Sequence, residues 1–158
     1  MLIVADSSAL IALAICDSLV LLDQLFDNIK VPQAVFNEVI IDGKPVANTL
    51  KAYLKGKVIS VDLTAYVINA GGLGRGELEA MALYRYLQAD YLLIDDRRAR
   101  KVAKINQMTI TGSQGILLFA KQQGLITHVK PFLDKLRTSN IRISERVITK
   151  TLKLAGEL

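Results

Sequence analysis

The chain has 158 residues, 51% of them hydrophobic, which is enough for one domain with its own core. Its 20 basic and 15 acidic residues give a formal charge of +5, which favours a polyanionic partner without requiring one. A single cysteine, Cys16, excludes an internal disulfide, and no Cys/His cluster is present for zinc or iron-sulfur, so we expect a reducing, cytoplasmic setting. We expect no membrane span, because no uninterrupted stretch of about 20 apolar residues occurs.

Short apolar strands alternate with helical patterns along most of the chain. The first strand, residues 2–5, ends at Asp6, and an apolar helix opens at Ser7. The later pattern predicts strands at 29–31, 58–61, 91–94 and 108–110, and helices at 18–26, 32–40, 46–55, 77–88, 97–105, 113–123, 129–137 and 143–155. This alternation predicts an α/β fold with a parallel central sheet, helices on both faces and a helical C-terminal extension.

Acidic residues stand where predicted strands end and helices begin. Asp6 closes the first strand, and the pair Asp95-Asp96 closes a later one. Ligands of open parallel sheets gather at the carboxyl ends of strands, so we expect these acids at one edge. Glu38 lies in the helix after the second strand, and Glu77 opens the helix after a glycine-rich segment. Such carboxylates suit Mg²⁺ or Mn²⁺ and the hydrolysis of phosphodiesters.

Each acid also has a purely structural interpretation. Asp6 is a preferred type of helix cap, and Glu77 suits the dipole of a first helical turn. Glu38 would be ordinary on a solvated helix face, and one member of the Asp95-Asp96 pair could bond a neighbouring arginine. Acids at four separate strand or helix edges nevertheless favour a metal site over these alternatives.

The order and spacing of four segments resemble the PIN-domain family. The segments are IVADSSALIAL, VPQAVFNEVI, GLGRGELEAMALYRYLQADYLLIDDRRARKVAK and TGSQGILLFAKQQGLI. The resemblance is closest to the stand-alone bacterial and archaeal branch related to toxins of toxin-antitoxin pairs. It implies a Rossmann-like nuclease domain at residues 1–137, with a C-terminal helix in residues 138–158 that packs on the domain or on a partner.

The resemblance also implies an activity, a metal and partners. We expect a Mg²⁺- or Mn²⁺-dependent endoribonuclease whose catalytic acids correspond to Asp6, Glu38, Glu77 and Asp96. The expected metal ligands are Asp6, Glu77 and Asp96, with Asp95 as an alternative or additional ligand. Many relatives carry Thr or Ser at the position of Ile94, so the choice between the two aspartates stays open. RNA, a small antitoxin protein and a second copy of the chain are the implied partners.

Further polar residues near the acids have two interpretations each. Ser7 or Ser113 could hydrogen-bond a metal ligand or a water, although both are equally suited to capping helices. The basic cluster after the acid pair could bind RNA phosphates or could be a solvated helix face; its members are Arg97, Arg98, Arg100 and Lys101. The alternative function is a catalytically silent PIN fold that binds RNA or protein. Residues 129–158 are amphipathic. Under either function they could form a dimer or partner surface, or pack equally well on the chain's own core.

Overall fold

The fold is built on one parallel sheet. A computed structural model of the chain describes residues 1–66, 71–141 and 143–158, and its five strands lie in the spatial order β3-β2-β1-β4-β5. All neighbouring strands pair in parallel. The strands are β1 Leu2–Ala5, β2 Asn28–Pro32, β3 Val58–Ile59, β4 Tyr91–Leu93 and β5 Ile110–Thr111. The predicted α/β class and parallel sheet are confirmed.

Helices connect the strands. Within the described ranges they are α1 Ser7–Ile15, α2 Leu19–Leu25, α3 Gln33–Val39, α4 Ala47–Tyr53, α5 Arg75–Leu87, α6 Arg97–Ile105, α7 Ser113–Gln122, α8 Lys130–Arg137 and α9 Glu145–Leu154, with a short 3-10 helix at Leu63–Ala65. The predicted start of a helix at Pro32 was wrong by one residue. Pro32 ends β2 and pairs with Ile59, a strand-end position where its missing N–H is tolerated.

The prediction of the last strand was also displaced. We expected it at 108–110, but β5 is Ile110–Thr111. Gln107 has a positive φ of 62°, and Met108 N donates to Ala103 O, so this turn and the C-terminal end of α6 delay the strand. Met108 is nevertheless buried, and its apolar side chain belongs to the core rather than to the sheet.

Both faces of the sheet are covered, because successive strand residues point to opposite faces. In β1, Ile3 and Ala5 belong to a large apolar cluster that includes residues of α1, α2 and α7, whereas Val4 belongs to a smaller cluster with α5 and α6. No single helix in the described parts of the chain is long and apolar enough to cross a membrane; only α1 and α2 together, bent by 110°, match a span in length and composition.

The C-terminal helices pack on the chain's own core. Leu133 and Leu136 of α8 and Ile148 and Leu152 of α9 are buried in the large cluster. Arg142, which the expected C-terminal segment includes, lies outside the described residues. The apolar face of residues 129–158 is therefore used at least in part within the domain. Contact of this segment with a partner or a second copy stays a prediction.

The strand order reverses at β1, and this positions the candidate site. β1 has β2 on one side and β4 on the other: the chain leaves the carboxyl end of β1 toward β2, and after β3 it crosses back to β4 on the opposite side of β1. A crevice forms outside the strands at such a switch point and is the usual ligand site of open parallel sheets. Asp6 directly follows β1, and its N–H donates to the carbonyl oxygen of Leu93 at the end of β4, at 2.9 Å.

Candidate metal and active site

Asp6 is a buried carboxylate at the carboxyl end of β1. Only 2% of the residue is exposed, and it stands at the N-cap position of α1. Its side chain makes no hydrogen bond that caps α1, and its Oδ1 is buried without a hydrogen-bond partner in the described part of the chain. Capping therefore does not explain why an acid occupies this position, and an unpartnered buried oxygen requires another explanation.

Glu77 combines a structural bond with an unpartnered oxygen. It lies in the first turn of α5, where its Oε1 accepts a hydrogen bond from the backbone N–H of Gly74 at 3.2 Å. That bond is a capping-box contact, a structural role that the interpretation through the helix dipole did not include. Its other oxygen, Oε2, is buried and has no hydrogen-bond partner among the residues described. One half of this carboxylate is thus left for a ligand.

Glu38 on α3 lies beside Asp6 because of a serine and a glycine. The Ser7 hydroxyl donates to Glu38 Oε2 at 3.0 Å, which joins α1 to α3. A Cβ placed on Gly76 of α5 would lie 3.0 Å from Glu38 Oε2 and 3.9 Å from Asp6 Oδ1. The absence of a side chain at Gly76 therefore permits α5 to approach both carboxylates.

The two adjacent aspartates after β4 have different surroundings. Asp96 is exposed, lines the same cleft as Asp6, and accepts a hydrogen bond from Ala99 N at 2.9 Å that caps α6. Asp95 binds Ser113 instead: its Oδ1 accepts from the backbone N–H and its Oδ2 from the hydroxyl, both at 2.7 Å. Asp95 and Ser113 thus join the end of β4 to α7, outside the acid cleft.

The cleft that collects these acids has a volume of about 980 Å³. It opens among the N-terminal parts of α1 and α5 and one face of α3, and its lining includes Ser60 and Val61 after β3. Its four predicted acids come from four separate parts of the sequence: Asp6, Glu38, Glu77 and Asp96. The tertiary structure therefore brings together the whole predicted catalytic set, while Asp95 lines a neighbouring groove.

Burial and mutual repulsion change the acidity of the cleft. Burial raises the pKa of Asp6 to about 7, the backbone N–H of Ser7 opposes the rise, and the carboxylates of Glu77, Glu38 and Asp96 add to it. Burial is also the main cause that raises the pKa of Glu77, with the neighbouring carboxylates contributing. Ionised, these groups repel one another in a poorly solvated place, and a bound cation would relieve that repulsion.

Comparison with known proteins identifies the family. The family model described as "DUF3368: PIN domain" matches residues 2–157, nearly the entire chain. The chain belongs to the PIN-domain family. This PIN domain has a nuclease-type fold, and members of the family are generally hydrolases that use divalent metal ions. The match reaches beyond residues 1–137, on which the sequence resemblance rested. No curated protein and no solved structure matches the chain.

The acids of this PIN domain fit a divalent ion that keeps much of its water. Within the described ranges, no three Asp, Glu, Cys or His side chains come close enough to enclose an ion by themselves. Mg²⁺, however, is usually bound through one or two carboxylates, several waters and substrate phosphates. The unpartnered oxygens of Asp6 and Glu77 in one cleft fit this arrangement, and Asp96 lines the same space.

The basic cluster of α6 is divided between structural bonds and exposed positions. Arg98 Nη2 donates to the carbonyl oxygen of Gly71, and Arg100 Nη1 to that of Ile94, both at 3.0 Å. Arg97 and Lys101 are exposed and line a second groove of about 1030 Å³, which adjoins the cleft at Asp96 and Ser8. RNA binding by the four residues stays a prediction, and Arg97 and Lys101 are better placed for it than Arg98 and Arg100, which bond backbone carbonyls.

Sequence reasoning missed one acid of the cleft, Glu79. It lies on α5, is 4% exposed, and lines the cleft beside Glu77. Its Oε2 accepts from Arg75 Nε at 2.7 Å, and its Oε1 accepts from Ala34 N at 3.1 Å. The available signal was the i,i+4 spacing of Arg75 and Glu79 on a helix face that is otherwise apolar.

Proposed function

We propose that this PIN domain is a divalent-metal-dependent endoribonuclease that hydrolyses phosphodiester bonds of RNA. The proposal rests on two buried carboxylate oxygens, Asp6 Oδ1 and Glu77 Oε2, which belong to residues lining one cleft and have no hydrogen-bond partner among the described residues. Buried polar atoms of this kind are costly and rare unless a ligand satisfies them. A Mg²⁺ or Mn²⁺ ion with its waters would supply that partner.

Each acid has a proposed role. Asp6, Glu77 and Asp96 would hold the ion, and the Ser7 hydroxyl would keep Glu38 oriented toward it through the 3.0 Å hydrogen bond. When bound, the ion supplies positive charge to the phosphate and activates water for hydrolysis. Asp95 has no place in this proposal, because both of its oxygens are occupied by Ser113.

The proposal extends to regulation, location and assembly. We infer that the enzyme is a toxin of a toxin-antitoxin pair, acts on cytoplasmic RNA as a homodimer, and is held inactive by a small antitoxin protein. The sequence resemblance supports this, and so does the groove of about 1030 Å³ that continues from the acid cleft. Light scattering tests the assembly. A monomer at working concentration would contradict the homodimer.

Cleavage of a fluorophore-labelled mixed-sequence RNA tests the activity. We expect cleavage with Mg²⁺ or Mn²⁺, none with excess chelator, and none with Asp6→Asn. The matched control is Asp23→Asn, the same change on an exposed residue of α2 outside the cleft, which should cleave as wild type does. Cleavage that persists in Asp6→Asn or in chelator would refute the proposal.

A second candidate is a PIN fold that binds RNA or protein without cutting. Its supporting observation is that no three metal-binding side chains converge in the part of the chain that the structure describes. Glu77 and Asp96 also each commit one oxygen to a helix cap. Calorimetry separates the candidates: RNA affinity without divalent-ion binding at millimolar concentration would favour the silent module.

A further inference from the structure

Arg75 is the one cationic side chain among the described residues that line the acid cleft. The same cleft is lined by five carboxylates: Asp6, Glu38, Glu77, Glu79 and Asp96. An RNA phosphate that approaches this cleft therefore meets a strongly negative surface with one positive group in it. Because electrostatic attraction to phosphates dominates nucleic-acid affinity, that group has a disproportionate influence on binding.

Arg75 is held from one side and open on the other. It is the first residue of α5, and its side chain is 77% exposed although its Nε donates to Glu79 Oε2 at 2.7 Å. Its terminal Nη groups have no hydrogen-bond partner in the described residues. An exposed arginine usually loses much conformational freedom when it binds a ligand, whereas one already anchored through Nε loses less.

Glu79 anchors Arg75, and hydrogen bonds hold both of its carboxylate oxygens in place. Its side chain is 6% exposed, and its second oxygen accepts from Ala34 N at 3.1 Å, in the first turn of α3. A buried carboxylate that bonds a helix N-terminus cannot swing away, so it fixes the position of Arg75 relative to α3 and Glu38. By contrast, the nearby Arg98 and Arg100 donate to backbone carbonyls and are partly committed elsewhere.

We propose that Arg75 binds a phosphate of the RNA substrate at the mouth of the cleft and that Glu79 is the positioning residue for it. This inference rests on the proposed nuclease function. The planar guanidinium presents its remaining N–H groups as a fork, which matches two oxygens of one phosphate. Lysine has a point charge on a flexible stem, so it does not reproduce this contact.

The test measures RNA affinity separately from turnover. Fluorescence anisotropy with a labelled single-stranded RNA is measured with Asp6 intact in excess chelator, which prevents turnover, and KM and kcat are measured with Mn²⁺. The variants are Arg75→Ala, Arg75→Lys and Glu79→Gln. The matched control is Arg137→Ala, because Arg137 also bonds a carboxylate through Nε, that of Glu145 at 3.1 Å, but lies outside the cleft.

We expect Arg75→Ala to raise Kd and KM by about tenfold or more, as for loss of a charge-assisted contact, with kcat within about twofold. Arg75→Lys should recover only part of the loss. Glu79→Gln keeps an acceptor for Ala34 N but releases Arg75, so it should fall between wild type and Arg75→Ala. The control should match wild type in both assays.

A double variant and an assay that needs no turnover make the result unambiguous. Since Arg75→Ala leaves Glu79 without its partner, the double variant Arg75→Ala/Glu79→Gln removes the unpaired charge and should bind RNA as weakly as Arg75→Ala. An unchanged Kd in both variants overturns the proposal, and so does full recovery by lysine. If RNA binding depends on Arg75 but no RNA is ever cleaved, only the nuclease function is refuted. The two failures can be told apart because anisotropy requires no turnover.

Discussion

Replacing Asp6 by asparagine should stabilise the metal-free protein at neutral pH even as it abolishes cleavage. Burial, assisted by the neighbouring carboxylates, raises the pKa of Asp6 from 3.8 to about 7 in the folded protein. The folded chain therefore holds this proton more tightly than the unfolded chain does. The stabilising contribution of Asp6 is complete below the unfolded pKa of about 4 and is lost as the pH rises through about 7.

The size of the effect follows from the difference in pKa. About 3 pKa units correspond to about 4 kcal/mol between the two protonation states. This difference already includes the opposing hydrogen bond from the Ser7 N–H, and asparagine keeps the shape of the side chain without the charge. Relaxation of the site and entry of water reduce the penalty for burying the charge. We therefore expect about half of the total, about 2 kcal/mol, which is about 4–8 °C in Tm for a domain of this length.

Thermal melts in chelator at pH 4.5 and pH 8 measure this difference. Wild type and Asp6→Asn should melt at similar temperatures at pH 4.5, and the variant should melt higher at pH 8. Excess Mn²⁺ at pH 8 should raise the Tm of wild type and leave the variant nearly unchanged. The exposed control Asp23→Asn should follow wild type throughout. A variant less stable than wild type at pH 8 without metal would refute the reasoning.

Three further substitutions test other contacts. Gly76→Ala should stabilise the fold by up to about 1 kcal/mol through helix propensity and so raise the Tm slightly. It should weaken Mn²⁺ binding and cleavage, because the new Cβ would lie 3.0 Å from Glu38 Oε2. Gly71→Ala, which meets nothing within 4 Å, is the control, and equal metal affinity in both variants would contradict the argument. Ser113→Ala removes the hydrogen bond from the hydroxyl to Asp95 Oδ2 and should lower the free energy of urea unfolding by about 1–3 kcal/mol without changing metal affinity. Loss of metal binding in this variant would instead indicate that Asp95 is a metal ligand. Glu157→Gln removes the charge that accepts from Lys121 Nζ, Val129 N and Lys130 N, and should cost about 1–2 kcal/mol at pH 7. Burial raises the pKa of Glu157, but the hydrogen bonds from these donors lower it by more, so its pKa in the folded protein is below the ordinary value. The loss of stability in Glu157→Gln should therefore disappear as the pH falls through the folded-state pKa, and a loss independent of pH would contradict this role of the charge.

Much of the fold could be predicted from local pattern. The run Leu2–Ala5 is apolar without alternation, which is typical of a strand buried on both faces, and the helical spacing that follows each strand implies crossover connections. Parallel order then places Asp6 and the end of β4 at one edge without any further information. The five strands and their parallel pairing were accordingly expected. The start of β5 was misplaced because of the turn at Gln107, and Pro32 was misplaced because it pairs with Ile59 in the sheet.

The local sequence pattern was enough to place Asp6 and the Asp95-Asp96 pair at the carboxyl edge of a parallel sheet, and the family resemblance added Glu38 and Glu77 to them. The different surroundings of Asp95 and Asp96 became visible only in the folded chain. Neighbouring residues at a strand end point in different directions, and Ser113, 18 residues later, donates to both oxygens of Asp95 and to neither of Asp96. The role of Glu79 was equally hidden, because its partner Ala34 lies 45 residues away and the hydrogen bond exists only where α3 and α5 meet.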